Sequence, residues 1–212
     1  MLHPLFNDML EIGNDLGFEM TMITNGSMIT AENINYLAEK LKLIGISVDS
    51  SDEQIQLKMG RGCGSHVQNT LDTINLIKNV GIPLKINTVV TLLNYQENMK
   101  NFIEFIQPQR WKVFQYLPIL NQNDKFNERF QITDFQFKNF QKMHKNIRLV
   151  GGILPVFESN EDMTNSYLMI SPSGKIVSNI DGKYDFKDIK SIGKKQFADL
   201  IDFTKYTSRG SV

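Results

Sequence analysis

Apolar positions along this chain switch repeatedly between helical and strand spacing, and the switches predict helices and strands in alternation. Leu5, Met9, Ile12 and Leu16 recur at helical spacing, with Gly17 as a stop. Residues 19–24 (EMTMIT) predict a short strand that runs straight into Asn25, Gly26 and Ser27. Thr30 then caps a helix whose apolar stripe is Ile34, Leu37, Ala38 and Leu41. In residues 43–48 (LIGISV), Ile44, Ile46 and Val48 alternate against Gly45, Ser47 and Asp49, which predicts the next strand. Helix and strand in turn is the pattern of a parallel sheet. It opens on a helix where a βα repeat opens on a strand, so the front of the architecture reads as absent.

Residues 50–59 are polar and read as exposed. Gly60, Arg61, Gly62, Cys63 and Gly64 form a loop that opens a helix with the stripe Val67, Leu71, Ile74 and Ile77. Gly81, Ile82 and Pro83 end it. A strand–helix–strand follows over residues 83–90 (PLKINTVV), 96–106 and 110–117 (RWKVFQYL). Lys85 and Asn87 share one side of the first strand, opposite Leu84, Ile86, Thr88 and Val90. In the second, Arg110, Lys112 and Phe114 oppose Trp111, Val113 and Gln115. A parallel strand covered on both faces should be nearly continuous in apolar residues. Inward cations on two neighbouring strands therefore need an anionic partner, and a phosphate-bearing small molecule suits them. The plainer alternative is an open sheet with a lysine in solvent.

Beyond Leu117 the rhythm changes. Residues 121–129 are polar and read as loop, and Thr133 with Gln136 forms a capping box for a helix carrying Phe137 and Phe140. After a break at Gly151 and Gly152 come strands at 156–160 (VFESN), 166–170 (SYLMI) and 175–179, the last two a hairpin closed by SPSG. Residues 193–203 look helical, and 206–212 form a polar tail.

Charge adds little to this picture. Lys plus Arg equals Asp plus Glu at 23 each in 212 residues, so no global field draws nucleic acid or an anionic membrane. No apolar run approaches the roughly 20 residues of a membrane span, and Asn7, Asp8 and Glu11 interrupt any signal-peptide core. A cytoplasmic location is the default, and the sequon at Asn25 is then accidental. One cysteine excludes an internal disulfide or a cysteine-ligated cluster built from this chain alone.

Several residues invite chemistry, each beside a bland explanation. Asn25, Gly26 and Ser27 lie at the carboxyl end of a strand, where α/β folds place ligands; on spacing alone an ordinary strand-to-helix turn is the better explanation, and Ser47 and Asp49 share the ambiguity. The glycine loop with Arg61 resembles a phosphate or adenosine cradle, yet fits neither the dinucleotide nor the P-loop spacing. Cys63 reads as a loop residue, and His3, His66 and His144 as structural or surface residues without metal-site spacing. Tyr167 reads as a half-buried strand tyrosine. These residues alone define an incomplete α/β domain with a buried cationic site suited to a phosphorylated ligand.

Taken together, TNGSMI (24–29), GISVDSS (45–51), Gly60 to Gly62, LKINTV (84–89), RWKVFQ (110–115), Glu158–Ser159–Asn160, Ser166–Tyr167–Leu168 and the Arg209–Gly210 tail resemble viperin and its microbial relatives. These are radical S-adenosylmethionine (SAM) enzymes that dehydrate nucleoside triphosphates. The resemblance implies an α/β fold: a partial (β/α) radical SAM barrel lacking its first strand–helix–strand, with a small C-terminal α+β extension. Residues 1–120 would form the barrel core and 121–212 the extension closing the nucleotide site. It implies SAM and a 4Fe–4S cluster as cofactors. The implied reaction converts CTP, UTP or GTP into its 3′-deoxy-3′,4′-didehydro form, an antiviral chain terminator. By motif, Asn25, Ser47 and Arg61 would contact SAM. Lys85, Asn87, Arg110 and Lys112 would cradle the triphosphate, and Asn160 and Arg209 would lie near the nucleotide. Tyr167 would return a hydrogen atom to the product radical. The family's three-cysteine motif and a Gly-Gly-Glu-Pro segment are not in these residues, and Ser211 stands where a second glycine is usual. The chain is thus expected to be the C-terminal portion of such an enzyme, its cluster supplied by an upstream segment or a partner chain. The alternative is a cluster-less nucleotide-binding module or an inactive fragment.

Overall fold

The computed structural model describes residues 3–180, 183–193, 200, 202, 204 and 205. Five strands form one parallel sheet in sequential order: β1 (Thr21–Thr24), β2 (Leu43–Ser47), β3 (Leu84–Val90), β4 (Arg110–Gln115) and β5 (Val156–Glu158). The helices between them are α1 (Phe6–Asp15) ahead of β1, α2 (Ile34–Lys40), α3 (Glu53–Lys58), α4 (His66–Asn79), α5 (Lys100–Ile106), α6 (Asn127–Phe130) and α7 (Asp134–His144). After β5 come α8 (Asn160–Met163) and an antiparallel sheet of β6 (Leu168–Ile170), β7 (Lys175–Ile180) and β8 (Lys183–Asp188). β5 pairs with β4, so the parallel sheet runs past residue 120 into the segment expected to be the extension. Among the described residues no helix is long and apolar enough to cross a membrane.

β3 and β4 show why one face of the sheet is core and the other is not. Burial alternates strictly along both: Leu84, Ile86, Thr88 and Val90 are buried, as are Trp111, Val113 and Gln115, while the residues between them are half-buried. The buried face packs on Ile74 and Ile77 of α4, Met99, Ile103 and Ile106 at α5, and Phe140 of α7. Two polar groups are satisfied inside this layer. The Trp111 indole N–H donates to Thr88 Oγ1 at 2.9 Å, and that hydroxyl donates to the Val48 carbonyl at 2.6 Å. His144, read as a structural or surface residue, is fully buried. Its Nε2 accepts from the Met99 N–H at 3.0 Å and its Nδ1 lies 2.7 Å from the Phe140 carbonyl, so Nδ1 carries the hydrogen. Burial holds this imidazole below its usual pKa, the Phe140 carbonyl acting in the opposite sense.

Several local expectations need correction. The stripe Leu5, Met9, Ile12 and Leu16 faces outward, Leu16 being 69% exposed; Leu10 and Gly13 make the buried side of α1. Thr30 does not cap α2: its N–H donates to Asn33 Oδ1 at 3.0 Å, and Asn33 occupies the cap position. The segment at 50–59, expected to be exposed, contains α3, capped by Asp52 and holding a fully buried Gln56. Gln56 is polar and so reads as exposed, but its Nε2 donates to the Ser50 carbonyl at 2.7 Å, which pairs one of its two polar atoms in the interior. The Thr133–Gln136 capping box is present. β8 extends the predicted hairpin to three strands, and the expected helix at 193–203 lies mostly outside the described residues.

Replacing Thr88 by Val keeps the shape but strands the Trp111 N–H and the Val48 carbonyl. Urea unfolding should show a loss of about 2 kcal/mol for Thr88→Val, with an unchanged m-value.

Candidate functional site

The half-buried face of β3 and β4 gathers the expected cations. Parallel register sets Lys85 beside Arg110 and Asn87 beside Lys112, and pairs Gly45 with Lys85 and Ser47 with Asn87 on the other flank. Lys85 is pushed down to about 8, first by burial and then by Lys112 and Arg110, with Glu158 acting in the opposite sense. Its pKa records a site crowded with positive charge. Lys112 is ion-paired with Glu158, a carboxylate only 1% exposed at the end of β5, and the Tyr167 hydroxyl donates to the other oxygen of that carboxylate. Asn87 Oδ1 is buried without a hydrogen-bond partner among the described residues. The face can therefore bind an anion through several charged donors at once.

A cavity of about 440 Å³ lies at the carboxyl ends of β1 and β2, lined by Asn25, Gly26, Ser27, Arg61, Gly62 and His66 among others. Its floor is a turn that uses its own side chains: Asn25 Oδ1 accepts from the Ser27 N–H at 3.1 Å and hydroxyl at 2.9 Å, while Gly26 takes a φ of 84°. The opposite wall is held by Asp49. Its carboxylate is ion-paired with Arg61 and accepts the Val89 N–H at 2.8 Å, joining the glycine loop to β2 and β3. Burial raises the Asp49 pKa, with Arg61 and the Val89 N–H pulling it down. Glu53 accepts the Val67 N–H at 2.7 Å and the His66 N–H, fixing the start of α4. His66, read from the sequence as structural or surface, lines the cavity with a buried Nε2 that has no partner among the described residues. Burial, then Arg61, holds its ring below the usual imidazole pKa.

The expected residues thus divide between places. Asn25 and Arg61 share the cavity wall; Ser47 is not among the lining residues and sits in register with Asn87 instead. Lys85, Asn87, Arg110 and Lys112 share the cationic face. Asn160 begins α8, with its N–H donating to Gln115 Oε1 at 3.1 Å, and lines a separate cavity of about 290 Å³ with Asp134 and Phe157. Arg209 lies outside the described residues. Asp49 and Glu158 were assigned no role from sequence. The signals were an acidic residue at a strand's carboxyl end for Asp49 and the family-like run Glu158–Ser159–Asn160 for Glu158.

Comparison with known proteins bears on the fold and the family. The solved structure of anSMEcpe with bound AdoMet superposes with a TM-score of 0.65 at 16% identity, covering 97% of this chain and 64% of that one, a likeness of fold. The radical SAM superfamily model matches residues 1–107. An S-adenosylmethionine-dependent nucleotide dehydratase of Thermoplasmatales archaeon (strain ISO4-H5) is 32% identical over 213 residues, covering 100% of this chain and 75% of the relative. One of Lacinutrix mariniflava is 34% identical over 211 residues, covering 96% of this chain but 43% of the relative. The chain belongs to the radical SAM superfamily and, within it, to the S-adenosylmethionine-dependent nucleotide dehydratases.

Enzymes of this superfamily use SAM and a 4Fe–4S cluster. The cavity at the ends of β1 and β2 suits the first: its volume falls in the range of small-molecule sites, and glycine backbone, Asn25 and the unpartnered His66 nitrogen offer polar contacts. These residues do not fit the second. A cluster is held by several thiolates, and the 212 residues hold one cysteine, the exposed Cys63. Among the described residues no group of three His, Cys, Asp or Glu could hold a metal ion.

Burying the Lys85 ammonium opposes folding below pH 8, and this cost fades as pH rises from about 8 to 10.5, where the folded form has already released its proton. Lys85→Met should therefore raise the melting temperature at pH 7, and the gain should shrink across that window.

Proposed function

We propose that this chain supplies the SAM-binding and nucleotide-binding parts of a nucleotide dehydratase acting on a nucleoside triphosphate. The carrying observation is the run of Lys85, Arg110 and Lys112 on one half-buried face, with Asn87 between them. The negative charges of a triphosphate would offset the burial and the neighbouring cations that together depress Lys85. The names of the related dehydratases support the reaction class. Within this reading Asn25 and Arg61 flank SAM, and Ser47 stands on the strand between SAM and the triphosphate. Tyr167, linked through Glu158 to Lys112, is the candidate donor of a hydrogen atom. The cluster that initiates the radical reaction would come from residues other than these.

Binding of CTP, UTP and GTP by calorimetry tests the reading without requiring turnover. Lys85→Met and Lys112→Met should each weaken the preferred nucleotide by at least about tenfold, the worth of one charge-assisted contact. Affinity in the unsubstituted protein should fall as pH rises through about 8, where the free protein loses the Lys85 proton. Affinity indifferent to both substitutions would place the triphosphate elsewhere.

A further inference from the structure

Glu158 is a carboxylate set among cations that are suited to holding a different anion. It ends β5 in register with Phe114, pairs with Lys112 through Oε1 and accepts the Tyr167 hydroxyl at Oε2. Its side chain is 1% exposed and that of Lys112 is 17%. A carboxylate so buried needs such partners to offset its lost hydration.

We propose that Glu158 is an internal counter-anion that competes with the triphosphate for Lys112 and couples phosphate binding to the position of Tyr167. This rests on the triphosphate reading above. A phosphate oxygen and Glu158 Oε1 would seek the same ammonium, and holding both on it sets two anions side by side. Phosphate binding therefore draws Lys112 from Glu158, and the carboxylate then leans on its other partner, the Tyr167 hydroxyl. Affinity for the triphosphate is held below what three cations could give. In exchange, the phenol is fixed most firmly when the site is filled. Glu158 acts as a positioning residue: its effect on substrate passes through Lys112 and Tyr167.

The test is calorimetric titration of the unsubstituted chain and Glu158→Gln with CTP and with inorganic tripolyphosphate, at pH 7, where Lys85 holds its proton. Glutamine keeps the shape and removes the charge. Both probes should bind Glu158→Gln about tenfold tighter, a gain that a merely structural residue would not give. In a Lys112→Met background the same change should alter affinity by less than about twofold, because the competition is gone. If the unsubstituted chain binds and Glu158→Gln binds no tighter, the inference is wrong and the triphosphate reading stands. If the unsubstituted chain binds neither probe, that reading fails and takes the inference with it. Should Glu158→Gln fail to fold, Tyr167→Phe carries the test. Losing the hydroxyl leaves Glu158 more available to Lys112, so tripolyphosphate should bind about threefold weaker; equal or tighter binding overturns the proposal.

Discussion

The parallel pairing of β3 with β4 is the constraint on which the rest of the molecule depends. Their ladder runs from the Lys85–Arg110 pair to the Val90–Gln115 pair without a break. Strand side chains alternate faces, so this one register decides two things together. It sends Leu84, Ile86, Val90, Trp111 and Val113 into the layer under α4, α5 and α7. It also sets Lys85, Asn87, Arg110 and Lys112 side by side on the opposite face. A slip of β4 by one residue would turn Arg110 and Lys112 into the core and Trp111 out of it. The strength of the hydrophobic side thus enforces the crowding of charge on the functional side. The Thr88–Trp111 bond adds a polar lock to the same register.

Burial and that crowding together show in Lys85, whose pKa is pushed down to about 8. The site stores unfavourable electrostatic energy that an anion can release. Glu158 releases part of it from within, at the cost of occupying Lys112. Asp49 plays a comparable part in the neighbouring cavity, where it takes up Arg61 and ties the glycine loop to two strands. Both are nearly fully buried carboxylates at the carboxyl ends of strands, each paired with a basic residue expected from the sequence to contact a ligand. The two candidate sites are therefore organised by acidic residues as much as by basic ones.

How legible this was depended on the range of the interaction involved. The alternation in β3 and β4 is local, and the faces of Lys85 and Lys112 follow directly from it. The capping box at Thr133 is equally local. By contrast, the outward turn of Leu5, Met9, Ile12 and Leu16 depends on which side of α1 meets the sheet, which spacing cannot specify. Gln56 Nε2 and both ring nitrogens of His144 can be buried because backbone groups distant in sequence or folded back on them pair with them. Glu158 meets Lys112 only because β5 pairs with β4 across the 40 residues between Gln115 and Val156. Tyr167 gained a role in sequence only through family resemblance, since its bond to Glu158 is made by the chain turning back after α8.

The most direct measurement is a crystal structure of this chain with CTP or another nucleoside triphosphate bound. The account predicts phosphate oxygens within hydrogen-bonding distance of Lys85 and Lys112 Nζ, with Lys112 drawn away from Glu158 and the Tyr167 hydroxyl still on that carboxylate. Phosphates bound instead in the glycine-loop cavity beside Arg61, with Lys112 unmoved on Glu158, would contradict it.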